Sequence, residues 1–357
     1  MVTSKLYPPQ FYGGAEMSMH TLCGLLRERG DDVSVLAALA RRGCLTWQNR
    51  LRRKLSRAGQ CPSDTIQGYR VFRGWDPMAS AAEVSERCRP QIVLAQSGEV
   101  VRVAVHFRAL GLPVCVFLRH SHFDRLGGPP EADDGMIYIA NSAHTASRYR
   151  DAFGLDPIVM PPPVPAENYR VDSDRSRAVY INPNPVKGID VVLDLARQRP
   201  DVPFDIVESW TLPKAMTESY RRAAARLANV RWLPARSDMR SVYRHARVLL
   251  APSGVGHPDW VEGWGRVATE AQVSGIPVLA SDSGGLPEAV GPGGVVVPVD
   301  ASRSDWVTAF SRLWDDKSHY QVLAQAAYAH AGRPEIRADC HAQRLRALFE
   351  THCSVAG

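Results

Sequence analysis

The stretch VEGWGRVATEA, residues 261–271, sets two carboxylates, Glu262 and Glu270, eight positions apart around a Gly-Trp-Gly kink. An ionised carboxylate carries no donor and accepts several hydrogen bonds, so it suits pairs of neighbouring hydroxyls. Glycines crowd around the two acids at Gly263, Gly265, Gly275, Gly284 and Gly285. Such crowding has no purpose if Glu270 merely decorates a helix surface. Trp264, between two of the glycines, is a candidate pocket wall, although a core position is the commoner fate of tryptophan. A second glycine pair, Gly13-Gly14, opens the amphipathic run 15–30. Amides without side chains at a helix N-terminus can approach an anion closely, and a plain tight turn is the simpler reading. LRHSHFD, residues 118–124, places His120 and His122 just beyond an apolar run. They are either a site imidazole with its neighbour or a pair of loop histidines.

These groups need elements to hold them, and the chain supplies an alternation of short apolar runs and amphipathic stretches, the pattern of α/β folds with parallel sheets. The first half reads as strands at 32–38, 69–74, 91–96, 113–119 and 135–141, with helices at 15–30 and 143–154 closed by glycine. IVMPPPVPAENY, residues 158–169, is too rich in proline to continue a helix or a central strand, so it reads as a hinge. The second half restarts with strands at 178–182, 203–209, 230–234, 247–253, 276–282 and 294–299. Helical patterns fall at 188–199, 213–228, 238–245 and 265–274, and residues 303–350 are helical with a break near Gly332-Arg333-Pro334. The expected organisation is an N-terminal domain over 1–163, a hinge over 164–176, a second domain over 177–335, and a C-terminal helix over 336–357 that packs back on the first domain. Two doubly wound sheets leave a cleft at the C-terminal ends of their strands, where such sheets bind ligands.

With 357 residues, 45% hydrophobic and 22% charged, the chain has the balance of a soluble two-domain protein. No run approaches the roughly 20 apolar residues of a membrane span. The N-terminus lacks the apolar core of a secretory signal. Seven cysteines stand singly with no C-x-x-C pair, so neither a disulfide framework nor a zinc site is expected, and a reducing cytoplasm fits. The net charge of +6 is unevenly spread. Residues 41–57 carry a run of Arg and Lys with no acid, among them Arg50, Arg52, Arg53 and Lys54. At helical spacing Cys44, Trp47, Leu51 and Leu55 form a narrow apolar face beside the basic one. That pattern fits a helix lying at the inner face of a membrane, or one docked by its apolar stripe on its own domain.

The stretch 252–288, PSGVGHPDWVEGWGRVATEAQVSGIPVLASDSGGLPE, resembles the E-x7-E region of retaining GT-B glycosyltransferases of family 4. YPPQFYGGAE (7–16) looks like that group's glycine loop, ANSAHTASRYRDAFGLD (140–156) like its last first-domain helix, and NPVKG (184–188) like the first loop of its donor domain. The resemblance implies a GT-B fold of two Rossmann-like domains facing across a cleft. It implies a nucleoside-diphosphate sugar donor of UDP or GDP type. Gly13 and Gly14 would meet the diphosphate, as would Lys187. Glu262 would bind donor-sugar hydroxyls, with Gly263, Trp264 and Gly265 beside it, and Glu270 the ribose. His120 would lie near the reacting carbon, although a count from Pro113 puts the family's position on Arg119.

Three departures stand out. Asn182 occupies the place where the family usually has an arginine beside Lys187, and Arg266 is a candidate substitute. The first strand is expected to be clipped to Met1 and Val2, leaving the glycine loop loosely held. Asp172-Ser173-Asp174 is a D-x-D triplet, but it falls in the hinge and reads as linker. The expected function is metal-independent transfer of a sugar, with retention, to the hydroxyl of a glycan, lipid-linked or small-molecule acceptor, with no cofactor and no nucleic acid. A sugar-nucleotide epimerase and a non-catalytic nucleotide-sugar binder are the alternatives.

Overall fold

The computed structural model describes residues 1–55, 61–132, 135–210 and 212–355. The chain divides into two compact units: Met1–Pro163 together with the C-terminal stretch from Ala338, and Val164–Arg337. Both are α/β and built on parallel sheets, the Rossmann-like architecture.

The first unit has eight strands: β1 (Val2–Leu6), β2 (Ser34–Ala38), β3 (Ser63–Asp64), β4 (Arg70–Gly74), β5 (Val93–Gln96), β6 (Val114–Leu118), β7 (Ile137–Ala140) and β8 (Ile158–Val159). Their order is β3-β4-β2-β1-β5-β6-β7-β8, with only the β3–β4 pair antiparallel. Alternate side chains feed two cores. Leu36, Phe72, Ala95, Val116 and Leu118 enter one, while Val35, Val71, Leu94, Cys115 and Phe117 enter the other. A helix over Ala338–Val355 adds Ala342 and Leu345 to the second core.

β1 is short, as expected of a strand with so few apolar residues, and runs from Val2 to Leu6. Parallel neighbours supply backbone partners whatever the side chain, so the polar Thr3-Ser4-Lys5 run does not end it. The loop after it is also firmly held. Arg73, fully buried, pairs with Asp64 at 2.6 Å and donates to the carbonyls of Tyr7 (3.1 Å) and Pro8 (2.7 Å).

The second unit has six strands: β9 (Arg177–Ile181), β10 (Phe204–Val207), β11 (Val230–Leu233), β12 (Ala246–Ala251), β13 (Val278–Ser281) and β14 (Gly294–Val297). They lie in the order β11-β10-β9-β12-β13-β14, all parallel. Along β12, Val248 and Leu250 enter one core and Leu249 and Ala251 the other. Both faces are therefore covered, which is why Val248–Ala251 reads as an unbroken apolar run. Val164 and Tyr169, from the proline-rich stretch, sit in this unit's core. Asp174 of the D-x-D triplet accepts from Ser176 and pairs with His245 at 2.6 Å.

Candidate functional site

In the second unit the chain steps outward from β9 through β10 to β11, then returns to the far side of β9 with β12. Loops leaving β9 and β12 therefore diverge from adjacent strand ends, the crevice where open α/β sheets take ligands. Glycine lets these loops close on one another. A Cβ on Gly188 (φ +81°) would stand 2.2 Å from the Pro252 carbonyl oxygen, and one on Gly284 (φ +59°) 2.2 Å from that of Glu262. Backbone bonds fasten the contact, Gly254 to Val186 at 2.9 Å and Gly285 to Glu262 at 2.8 Å.

That closure joins Lys187 to Glu262. The ammonium donates to Glu262 Oε2, which also accepts from Ser253 Oγ at 3.0 Å. The two side chains keep 14% and 16% of their surface, sheltered but reachable. Trp210 and Trp260 flank the pair, with Lys187 Nζ 5.1 and 4.8 Å from their ring centroids. Asn182, in left-handed conformation (φ 72°), turns its carboxamide oxygen to the Trp210 backbone N–H at 3.4 Å. Sequence reasoning did not single out Ser253, Trp210 or Trp260. The available signal was their position just past the ends of β10 and β12.

Glu270 lies in a different, buried setting. Its Oε1 accepts from Arg266 Nε at 3.1 Å, its Oε2 from the Tyr243 hydroxyl at 3.1 Å, and Arg266 Nη2 reaches the Tyr169 hydroxyl at 2.9 Å. Burial, together with the Glu270 charge, pushes the Tyr169 phenol up to about 12. Arg266 is thus committed to Glu270 and Tyr169, partners that Lys187 does not share. The expectation that Arg266 substitutes for the missing arginine beside Lys187 does not fit this arrangement, because an i,i+4 pair on one helix face meets first. Trp264 is a core residue, 3% exposed, with its indole N–H on Thr269. Gly263 and Gly265 are the backbone that carries the turn from Glu262 into the helix Arg266–Gln272.

In the first unit the corresponding crevice lies between β1 and β5. Gly13 caps the helix Gly14–Glu28. The Glu16 carboxylate folds back onto that first turn, where a Cβ on Gly13 would stand 2.2 Å from Glu16 Oε2. Glu16 is 5% exposed, and burial raises its carboxyl above the usual range despite its own amide and the Arg119 and Lys5 charges. Arg119 is turned inward onto Gln96 Oε1 at 3.1 and 2.6 Å. His120 is half-buried, and its Nδ1 accepts from the His122 backbone N–H at 3.3 Å, so the neutral ring carries its proton on Nε2. Burial, then the His122, Arg125 and Lys5 charges, holds its pKa down at about 4.

The basic helix, Cys44–Leu55, does not dock by its apolar stripe, which goes against the second of its two expected readings. Leu45, Thr46 and Asn49 are buried, whereas Trp47 is 69% and Leu51 59% exposed. Thr46 Oγ1 anchors the inner face on the carbonyls of Ala40 (2.9 Å) and Arg42 (3.0 Å). Arg50 lies between the Trp47 and Trp75 rings, 5.5 and 5.3 Å from their centroids, and Arg52 and Lys54 are exposed. The side chains of Arg53 and Leu55 lie outside the described residues. Among the described residues no helix is long and apolar enough to cross a membrane.

Residues 177–330 match the family described as glycosyl transferases group 1. That match falls within the second unit. Curated relatives of this domain's chain include the D-inositol 3-phosphate glycosyltransferases of Segniliparus rotundus and Streptomyces bingchenggensis. The first is 30% identical over 57% of this chain and 42% of its own. The second is 29% identical over 58% of this chain and 53% of its own. The chain thus spans about half, or less, of the length of the curated relatives it matches. Solved structures that match nearly all of it include the following two. Anabaena HepE in complex with UDP-glucose has 16% identity and a TM-score of 0.75, covering 98% of each chain. Sucrose-phosphate synthase from Thermosynechococcus elongatus has 14% identity and a TM-score of 0.77, covering 99% of this chain and 98% of its own. The fold is GT-B.

Proposed function

We propose that the chain is a retaining, metal-independent glycosyltransferase that moves a sugar from a nucleoside diphosphate to an acceptor hydroxyl. The observation that carries this is the Lys187–Glu262 pair at the switch point of a group 1 domain. It puts a cation and a hydroxyl-binding carboxylate side by side, as a diphosphate and the sugar bonded to it require. Lys187 neutralises the departing diphosphate, and Glu262 and Ser253 hold hydroxyls of the sugar. Glu270 takes the ribose hydroxyls with the carboxylate lone pairs that Arg266 and Tyr243 leave open.

The acceptor attacks on the face that the diphosphate leaves, and a diphosphate oxygen takes the acceptor's proton. The protein's part is orientation and charge stabilisation, so no strong side-chain base is needed. Anabaena HepE, of the same fold, is described with UDP-glucose, which makes uridine nucleotides the first donors to test. The exposed Trp47–Leu51 ridge, ringed by Arg50, Arg52 and Lys54, fits peripheral contact with an anionic membrane and hence a lipid-linked acceptor.

A thermal-shift screen of nucleoside diphosphates and their sugars tests the donor assignment, since a ligand specific to the native state raises its Tm. Turnover with the best donor is then followed in excess EDTA. Full activity with an α-linked product from an α-linked donor is expected. Loss in EDTA with recovery in Mn²⁺, or an inverted product, would overturn the mechanism. Conversion of the donor alone would assign an epimerase instead.

A further inference from the structure

We propose that Trp210 and Trp260 form an aromatic box that holds the Lys187 ammonium in place while it exchanges the Glu262 carboxylate for the diphosphate of the donor. The inference rests on the reading of Lys187 as the diphosphate cation.

The geometry is that of a cation with two walls. Lys187 Nζ lies 5.1 Å from the Trp210 centroid and 4.8 Å from that of Trp260, both inside the roughly 6 Å range of cation–π attraction. The rings themselves are 5.9 Å apart and inclined at 69°, so they cover the ammonium from two different directions. Glu262 closes a further side through the ion pair. The ammonium's three donors thus face one anion and two π surfaces in a site where the side chain keeps 14% exposure.

Each wall is mounted on fixed backbone. The Trp210 N–H is held by Asn182 Oδ1 at 3.4 Å, and Asn182 is itself set by its own N–H on the Val207 carbonyl at 2.8 Å. Trp260 closes a turn onto the His257 carbonyl at 2.9 Å, and its own carbonyl accepts from Ser283 Oγ at 3.4 Å. Ser283 is the residue that also accepts the Glu262 backbone N–H, at 3.3 Å. The loop carrying Trp260 and the carboxylate it faces across the ammonium therefore share one anchor.

In the free protein Glu262 occupies the direction that a phosphate oxygen must take. When a diphosphate arrives, the ion pair opens. A lysine on a flexible four-carbon stem would then be free to swing into solvent. The two indoles prevent this, because they attract the cation without competing for the donors that point to the phosphate. Trp210 and Trp260 are positioning residues in this sense, acting on the diphosphate through Lys187.

The test uses the full chain, titrated calorimetrically with UDP and by NMR with uridine, which lacks the phosphates. W210L and W260L are each expected to weaken UDP binding about 5–30-fold, the range of a desolvated cation–π contact, with uridine unchanged. W210F and W260F, which keep a π face, should recover most of the affinity. Global replacement of tryptophan by fluorinated tryptophans, which drain charge from the ring face, should weaken UDP binding stepwise with fluorine number. It should have no such effect in the W210F/W260F double variant. Equal loss of UDP and uridine in the Leu variants, or UDP affinity indifferent to fluorination, overturns the box. A wild-type chain that binds neither UDP nor GDP sinks the donor reading itself, and the box with it.

Discussion

The two switch-point crevices are built alike and are occupied differently. In each, an acidic side chain stands where an anionic ligand would go. In the first unit it is Glu16, folded onto the first turn of its own helix, 5% exposed, with burial raising its carboxyl. In the second it is Glu262, on an ammonium that belongs to another loop, with 16% of its side chain exposed. Glu16 lies against the first turn of its own helix, close to Gly13. Glu262 is one partner of an ion pair between loops, and a stronger anion can take its place. The contrast fits the proposal that Glu262, and not Glu16, gives way to a diphosphate.

The largest expected effect comes from the exchange partner. Lys187→Ala should lower kcat/KM by about 10²–10³-fold, the usual cost of losing one group that stabilises transition-state charge. A variant within a few fold of wild type would remove Lys187 from the site. Glu270→Ala, in the same unit, should act on folding as well, because it leaves the buried Arg266 without its carboxylate. A loss of about 3–5 kcal/mol is expected in denaturant titration, typical of breaking a buried pair. Unchanged stability would show that Arg266 finds other partners.

The comparison itself is sharpened by a matched pair. Glu262→Gln should tighten UDP binding several-fold, by removing the internal competitor, while transfer falls. Glu16→Gln should leave UDP affinity unchanged and raise stability slightly at pH 7. The sign follows from its raised carboxyl: the ionised form is the one the fold disfavours, so the stability lost as pH rises through the folded pKa is regained by a neutral amide. If both variants shift UDP affinity alike, the two carboxylates are not distinct in kind.

Histidine supplies a smaller effect in the first unit. Burial lowers His120 from 6.5 to about 4 and His341 to about 3. A depressed histidine contributes fully above its unfolded pKa, and that stability drains as pH falls from about 6.5 toward the folded values. Melting temperature should therefore decline between pH 6.5 and 4, less steeply in His341→Phe. Transfer should show no inflection near 6.5 from His120. An inflection there that vanishes in His120→Phe would mean the ring titrates normally. The smallest effect is expected at the surface. Replacing Arg50, Arg52 and Lys54 with Gln should leave transfer to a short soluble acceptor unchanged while releasing the protein from phosphatidylglycerol vesicles at low salt. Each basic residue contributes about 1 kcal/mol at such a surface. Wild-type protein that ignores those vesicles would assign the ridge no membrane role.

Much of this was legible in residue order alone. Central strands such as Val114–Leu118, and the stretch Val248–Ala251, are unbroken apolar runs because both faces of a parallel sheet are covered. The extent of β1 was not legible, because Thr3, Ser4 and Lys5 carry no apolar signal and the strand is held by its neighbours' backbones. The two-residue β3 and β8 are too short for any period. Lys187 and Glu262 could be named because each sits in a recognisable local motif. Their pairing across 75 positions, and the indoles around it, depend on which loops the sheet order brings together. Which face of the basic helix docks could not be read from its apolar stripe, because Leu45 and Asn49, four apart, take the domain surface and leave Trp47 and Leu51 exposed.

The cluster of Tyr169, Arg266, Glu270 and Tyr243 also constrains how this chain can diverge. A substitution at Arg266 or Glu270 alone strands a buried charge, whereas changing the pair together to packed apolar side chains removes both charges at once. Sequence drift at these two positions should therefore be correlated, with single-step intermediates rare and purged by misfolding. Tyr169 and Tyr243, which are bonded to the pair, should follow as later replacements in the same lineages.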